Sequence, residues 1–138
     1  MAVAGVGMMK PISTKAHGVL DYLSAGTLLA LPRLLGWTPT VTTLLTGSAI
    51  TTLAGSLLTK YELGLFKVLP MRGHLALDGI TAATHAAATF LLFDDDDRKR
   101  GNALPILLGL VAFETGAALL TRTQPPPTER ADQKLAGA

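Results

Sequence analysis

Two histidine–aspartate pairs carry the residue types most able to do chemistry. His17 and Asp21 are four residues apart, and His74 and Asp78 have the same spacing. Residues four apart lie on the same face of a helix. Imidazole and carboxylate groups placed together can form ion pairs, relay a proton or hold a divalent metal ion. The leading interpretation is structural: each aspartate pairs with a histidine and holds two parts of the chain together.

A second polar pair is predicted deeper in the chain. His85 follows His74 by eleven residues, and Glu114 lies near the middle of a long apolar stretch. The two side chains are expected at similar depth in neighbouring helices, where they would pair. Ionisable groups in a spanning helix are costly and face the interior of the bundle. The pair is interpreted as structural, with a protonation switch or relay and a contact to a partner subunit as the alternatives.

The elements that position these residues follow from hydropathy. Of the 138 residues, 49% are hydrophobic and only 16% are charged, and the charges fall in short clusters. Between the clusters lie stretches of about 20 residues, the length that a helix needs to cross a hydrocarbon core of about 30 Å. The pattern predicts an all-α integral membrane four-helix bundle. The predicted helices cover residues 17–37, 40–59, 73–93 and 103–121.

An internal repeat organises the four helices. Lys15-Ala-His17-Gly-Val-Leu-Asp21 recurs 57 positions later as Arg72-Gly-His74-Leu-Ala-Leu-Asp78. The second helix of each unit ends alike, in Gly55-Ser-Leu-Leu-Thr59-Lys60 and Gly116-Ala-Ala-Leu-Leu-Thr121-Arg122. Each unit contains two helices, so both units enter the membrane from the same side. We expect two tandem helical hairpins related by a pseudo-twofold axis along the membrane normal.

Helix-breaking residues and charge clusters divide the chain into five segments. They are an N-terminal segment (1–14), a first two-helix repeat (15–60), an interfacial connector (61–71), a second two-helix repeat (72–122) and a disordered C-terminal tail (123–138). The acidic run at 94–97 and the basic residues after it are interpreted as a solvated turn, with a cation site as the alternative.

A resemblance supports this architecture. The chain resembles the SPW-repeat family of small bacterial membrane proteins over roughly residues 10–122. The residues that carry the resemblance are His17, Asp21, Tyr22, Tyr61, Glu62, Leu63 and Gly64. The family's Ser-Pro-Trp motif is replaced by Leu31-Pro32-Arg33 in the first unit and by Ala88-Thr89-Phe90 in the second. The resemblance implies a membrane protein of uncharacterised role and brings no activity.

The orientation follows from the positive residues in the flanks. The side with both termini and the connector carries eight lysines and arginines, and the other side carries four. We therefore expect a multi-pass protein of the cell inner membrane with both termini cytoplasmic. Trp37 is expected to anchor a helix end at the membrane interface.

Two stripes of small residues predict close helix packing. They have the small-xxx-small spacing that brings helix backbones together in lipid. Packing within the chain and a homodimer surface are both compatible with them. The residues are Gly47, Thr51 and Gly55 in the second helix, and Gly109, Ala112 and Gly116 in the fourth.

The composition narrows the classes of function. There is no cysteine, no phosphate-binding glycine loop and no basic stripe for nucleic acid. The leading hypothesis is a non-enzymatic scaffold or accessory subunit, in the lipid bilayer, of a homodimer or a larger membrane complex, with no metal or cofactor. The alternative is a proton-coupled transporter or ion-conducting oligomer that uses the six histidine, aspartate and glutamate residues named above. A haem or metal protein with His17 and His74 as ligands is third.

Overall fold

The computed structural model describes residues 10–137, and this part of the chain is all-helical, without a β-strand. Residues 1–9, which make up most of the predicted N-terminal segment (1–14), lie outside the described range. The helices, in chain order, are α1 (Thr14–Leu34), α2 (Pro39–Leu58), α3 (Met71–Leu91), α4 (Asp95–Lys99), α5 (Ala103–Leu120) and α6 (Pro127–Ala136).

The first hairpin is bounded by capping residues. Ser13 accepts a hydrogen bond from the Ala16 amide at 3.1 Å, so α1 begins three residues earlier than predicted. It ends at Leu34, before the predicted end, because Gly36 adopts a left-handed conformation with φ of 63°. Thr38 caps α2, and Pro39 occupies the first helical position, which needs no amide proton.

The second hairpin has a longer connection. Asp94 and Asp97 form a reciprocal capping box that starts the short helix α4. Asp94, Asp95 and Asp96 are exposed, whereas Asp97 is buried. The predicted solvated turn is therefore wrong for Asp97, whose side chain accepts a hydrogen bond from Thr38 at the turn of the first hairpin.

The long helices pack mainly as two hairpins, α1 against α2 and α3 against α5. An apolar core fills the half of the bundle nearest the two hairpin connections. Its largest members are Leu28, Trp37, Leu45, Phe93 and Leu107. The half nearest the chain termini is lined by polar groups instead, and this division places the candidate site.

Two equivalent backbone contacts tie the hairpins together at the terminal end. Ile12, just before α1, forms a parallel bridge with Thr121 at the end of α5. Leu69, just before α3, forms a parallel bridge with Thr59 at the end of α2. In each contact the segment that leads into one hairpin pairs with the last residue of the other, so the two contacts correspond when the repeats are exchanged.

The tail differs from its prediction. Residues 123–138 were expected to be disordered, but Pro127–Ala136 form α6. Proline is favourable at the first position of a helix, and the alanine, glutamate, arginine, glutamine, lysine and leucine that follow have high helix propensity. The three consecutive prolines thus end one extended segment and begin a helix.

Two helical segments, Pro39–Leu58 and Asp95–Leu120, are long and apolar enough to cross a membrane. Four spans were predicted. The helices α1 and α3 have 21 residues each, a sufficient length, but they contain the ionisable residues of the candidate site.

Candidate functional site

Four residues from the two repeats meet in a buried group that we call the His–Asp cluster: His17, Asp21, His74 and Asp78. His17 Nε2 lies 2.9 Å from Asp78 Oδ2, and His74 Nε2 lies 3.0 Å from Asp21 Oδ2. Each histidine is farther from the aspartate of its own helix, at 3.3 Å for His17 and 3.4 Å for His74. The closest pairs therefore cross between the hairpins.

The other ring nitrogen of each histidine is held by a threonine. His17 Nδ1 is 2.7 Å from Thr121 Oγ1, and His74 Nδ1 is 2.8 Å from Thr59 Oγ1. Each hydroxyl donates its own proton to the backbone carbonyl four residues earlier, at 2.6 Å. Because a hydroxyl has one proton, it accepts from the imidazole. Both rings therefore carry a proton on Nδ1, and both Nε2 atoms face the cluster.

The cluster is shielded from its surroundings. His17 is 1% exposed, His74 2% and Asp21 7%, while the Asp78 side chain is 20% exposed. Ser56 donates a hydrogen bond of 2.7 Å to Asp21 Oδ2. Burial at this level makes an unpaired charge costly, so the four groups must balance one another or bind a further charge.

Tyr61 closes one side of the cluster. It is fully buried, and its ring centroid is 5.9 Å from that of His74. Within the described residues its hydroxyl has no hydrogen-bond partner, and burial raises the pKa of the phenol. The ring lies so close to α1 that a Cβ on Gly18 would be 2.3 Å from Tyr61 Cε2.

The second predicted pair also forms. His85 Nδ1 lies 3.0 Å from Glu114 Oε2, joining α3 to α5. His85 Nε2 lies 2.6 Å from Ser48 Oγ on α2, so the contact extends to the first hairpin. The His85 ring is 1% exposed and the Glu114 side chain is 13% exposed.

A small cavity lies between the two polar groups. Its volume is about 30 Å³, and it is lined by His17, Asp21, Asp78 and Glu114. Ser24, Thr52 and Thr81 also line it, together with the apolar residues Leu20, Phe113 and Ala117. A cavity of this size has room for about two water molecules. The arrangement can therefore connect the His–Asp cluster to Glu114 through hydrogen bonds.

The two small-residue stripes occupy a different environment from the one expected for internal packing. A Cβ placed on Gly47, Gly109 or Gly116 would meet nothing within 4 Å in the described chain. Thr51 and Ala112 are exposed. Only Gly55 is close to another helix, with His74 Nδ1 at 3.7 Å from its ideal Cβ position. Apart from Gly55, these residues do not pack the four helices together.

The sequence signals missed several residues of the site. Thr59 and Thr121 end the second helix of each repeat alike, but this match does not predict that they contact the histidines. Ser48 and Ser56 carry no distinguishing signal, because their contacts depend on which helices meet. Tyr61 is marked only by the family resemblance, which implies no contact with a histidine. The repeat was the usable clue, since it placed one threonine at the end of each hairpin.

Comparison of the chain with protein-family models, curated proteins and solved structures finds no match. The resemblance to the SPW-repeat family therefore stays a prediction. Over residues 10–137, the fold and the site define an all-helical protein with two helices that are long and apolar enough to cross a membrane.

Proposed function

We propose that the chain is a multi-pass inner-membrane protein whose four long helices span the bilayer as two hairpins with pseudo-twofold symmetry. We propose further that it acts without catalysis, as a scaffold or accessory subunit that assembles with a second membrane protein or a second copy. Both termini are then cytoplasmic, and the connector between the hairpins lies at the membrane surface.

The apolar outer surface supports residence in the membrane. Each long helix has a large apolar side chain directed outward: Leu23, Ile50, Ile80 and Leu119 are 63%, 61%, 62% and 66% exposed. In the most apolar 18-residue window of α2, only 28% is buried. In the corresponding window of the segment that contains α5, only 11% is buried. A soluble protein would bury such helices in its core, whereas lipid is compatible with their exposure.

The positions of the ionisable residues explain how α1 and α3 can also span. The mean hydropathy of α1 and α3 is lowered by His17, Asp21, His74 and Asp78, whichever way these side chains point. These four residues meet one another between the hairpins, so their ionisable groups face the interior of the bundle. Intramembrane charges are tolerated when they face the bundle interior in this way.

The observation that carries the assembly proposal is the uncovered small-residue face of α5. Gly109 and Ala112 are exposed, and the ideal Cβ positions of Gly109 and Gly116 are open. Small-xxx-small faces allow helix backbones to approach closely and gain dispersion and weak hydrogen bonds in lipid. A face of this kind that residues 10–137 leave open is suited to a helix from another chain.

The test is the mass of the particle extracted gently from its native membrane. We expect a defined complex larger than one chain, and we expect Gly109→Leu to reduce it to the single chain by blocking the face. Gly26→Leu is the matched control, because Gly26 on α1 is equally open and lies outside the stripe. A monomer from the unmodified protein, or equal effects of both variants, would contradict the proposal.

A second candidate function, proton relay, is favoured by the cavity between the His–Asp cluster and Glu114. Glu114→Gln keeps the shape of the side chain but removes its titration. In proteoliposomes we expect this change to lower proton flux about 100-fold. Asp95→Asn, which changes a carboxylate that is 84% exposed, is the control. Flux that persists in Glu114→Gln would remove the relay role.

A further inference from the structure

The His–Asp cluster has the spacing of a metal site. One ligand atom from each of the four residues lies within 4.8 Å of the others. The imidazole Nε2 and carboxylate oxygens are separated by 2.9, 3.0, 3.3 and 3.4 Å. In a tetrahedral complex with bonds of about 2.0–2.1 Å, donor atoms lie about 3.3 Å apart. The four separations between imidazole nitrogen and carboxylate oxygen are therefore close to this spacing.

The threonines orient both imidazoles as ligands. Thr59 and Thr121 accept the Nδ1 protons, so a neutral ring presents the lone pair of Nε2 to the cluster. Histidines that bind metals are oriented in the same manner, with the second ring nitrogen donating to a fixed acceptor. The acceptors here are themselves fixed by their hydrogen bonds to the preceding helical turn.

His74 supplies an independent indication of a ligand. Its Nε2 atom is buried without a hydrogen-bond partner among residues 10–137, although Asp21 Oδ2 is 3.0 Å away. The oxygen is near enough, so the direction of the ring nitrogen prevents the hydrogen bond. A buried nitrogen that is aimed into a cluster of carboxylates and lacks a partner is destabilising, and a bound cation would satisfy it.

Charge and donor type select the ion. Two carboxylates and two neutral imidazoles sum to two negative charges, which one divalent cation neutralises. Imidazole nitrogen favours zinc, copper, iron and nickel, and carboxylate oxygen adds manganese. We propose that His17, Asp21, His74 and Asp78 together bind one divalent transition-metal ion, which joins the two helical hairpins. The site is independent of the assembly through α5.

The test uses the full chain without a polyhistidine tag, purified in detergent and stripped with a chelator. Co²⁺ is titrated while the visible spectrum is recorded, and bound metal is counted by elemental analysis. We expect one Co²⁺ per chain, with the intense absorption of tetrahedral coordination, and displacement by Zn²⁺. A chain that takes up neither ion overturns the proposal.

Variants locate the site. His74→Gln and Asp78→Asn each remove one ligand and are expected to weaken Co²⁺ binding at least 100-fold. Thr59→Val leaves all four ligands but removes an orienting acceptor, so a loss of 10- to 100-fold is expected. His85→Gln, a change to the one other histidine, is the matched control and should bind as the unmodified protein does. Undiminished binding in both ligand variants overturns the proposal.

X-ray absorption on the zinc-loaded, unmodified protein decides the matter if the ligand variants fail to fold. Two imidazoles and two oxygen donors at each zinc support the site. A coordination shell with one imidazole or none overturns it, because His17 and His74 would then not bind together.

Discussion

Two threonine hydroxyls decide what the histidines can do. Thr59 and Thr121 each accept from an imidazole Nδ1 and donate to a carbonyl four residues earlier. They therefore fix the tautomer and the ring orientation at the same time. Both belong to the last turn of a hairpin, so each repeat supplies the threonine that holds the other repeat's histidine. At the level of single residues, each histidine of the site is therefore held by the threonine of the other repeat.

Gly18 tests how tightly this region is packed. A Cβ at this position would overlap the Tyr61 ring, which is fully buried against His74. We expect Gly18→Ala to lower the free energy of unfolding by about 1–3 kcal/mol through overpacking. The measurement is denaturant-induced unfolding of the protein in mixed micelles.

Gly26→Ala is the control for Gly18→Ala, since it lies on the same helix with open space around the new methyl group. It should be neutral or stabilising by up to about 1 kcal/mol, because alanine has the higher helix propensity. If both changes had the same effect, the close contact between α1 and Tyr61 would be wrong.

The residue-level chemistry was partly predictable. The spacing of His17, Asp21, His74 and Asp78 placed each pair on one helix face, and the repeat suggested that the pairs meet. His85 and Glu114 were matched by depth, and they form the expected contact. The contacts of Ser56 with Asp21 and of Tyr61 with His74 were not predictable, because they depend on which distant helices pack together.

At the scale of elements, the two hairpin connections hold the opposite end of the bundle. Trp37 was expected as an interface anchor, but it is 6% exposed and its Nε1 donates to the Gly101 carbonyl at 3.1 Å. Thr38 both caps α2 and donates to Asp97, the third residue of α4. The start of α2 in the first hairpin is thus hydrogen-bonded to the first turn of α4 in the second hairpin.

Thr38→Val tests this connection. It removes the cap of α2 and the hydrogen bond to a buried carboxylate while keeping the volume of the side chain. We expect a loss of about 2 kcal/mol in the free energy of unfolding. Thr38→Ser retains the hydroxyl and should cost much less, and Thr40→Val at an exposed position is the second control. Equal stability of Thr38→Val and Thr38→Ser would show that the hydroxyl contributes nothing.

The helix limits show where sequence signals were sufficient. Apolar length located the ends of all four long helices to within three residues. The start of α1 at Thr14 was available from Ser13, a good capping residue. The helix α4 was missed because an acidic run predicts solvent exposure, and only the position of Thr38 across the hairpins explains why Asp97 is buried.

At the scale of the whole molecule, polar contacts join the hairpins at three levels. The bridges of Ile12 and Leu69 lie at the terminal end, with the His–Asp cluster next to them. Ser48 and His85 meet in the middle, and Thr38 and Asp97 meet at the far end. Between these ends the outer surface carries large apolar side chains, among them those of Leu23, Ile50, Ile80 and Leu119. This distribution is the reverse of a soluble bundle and is suited to lipid.

The most direct test of the membrane architecture is the side from which introduced cysteines can be labelled. The chain has no cysteine, so each variant reports one position. Leu65→Cys and Gln124→Cys replace exposed residues on the side predicted to be cytoplasmic, and Leu35→Cys and Asp96→Cys replace exposed residues on the other. In intact cells, a membrane-impermeant maleimide should label the second pair only, and the first pair should react after the membrane is opened. Labelling of all four positions from one side would contradict four membrane spans.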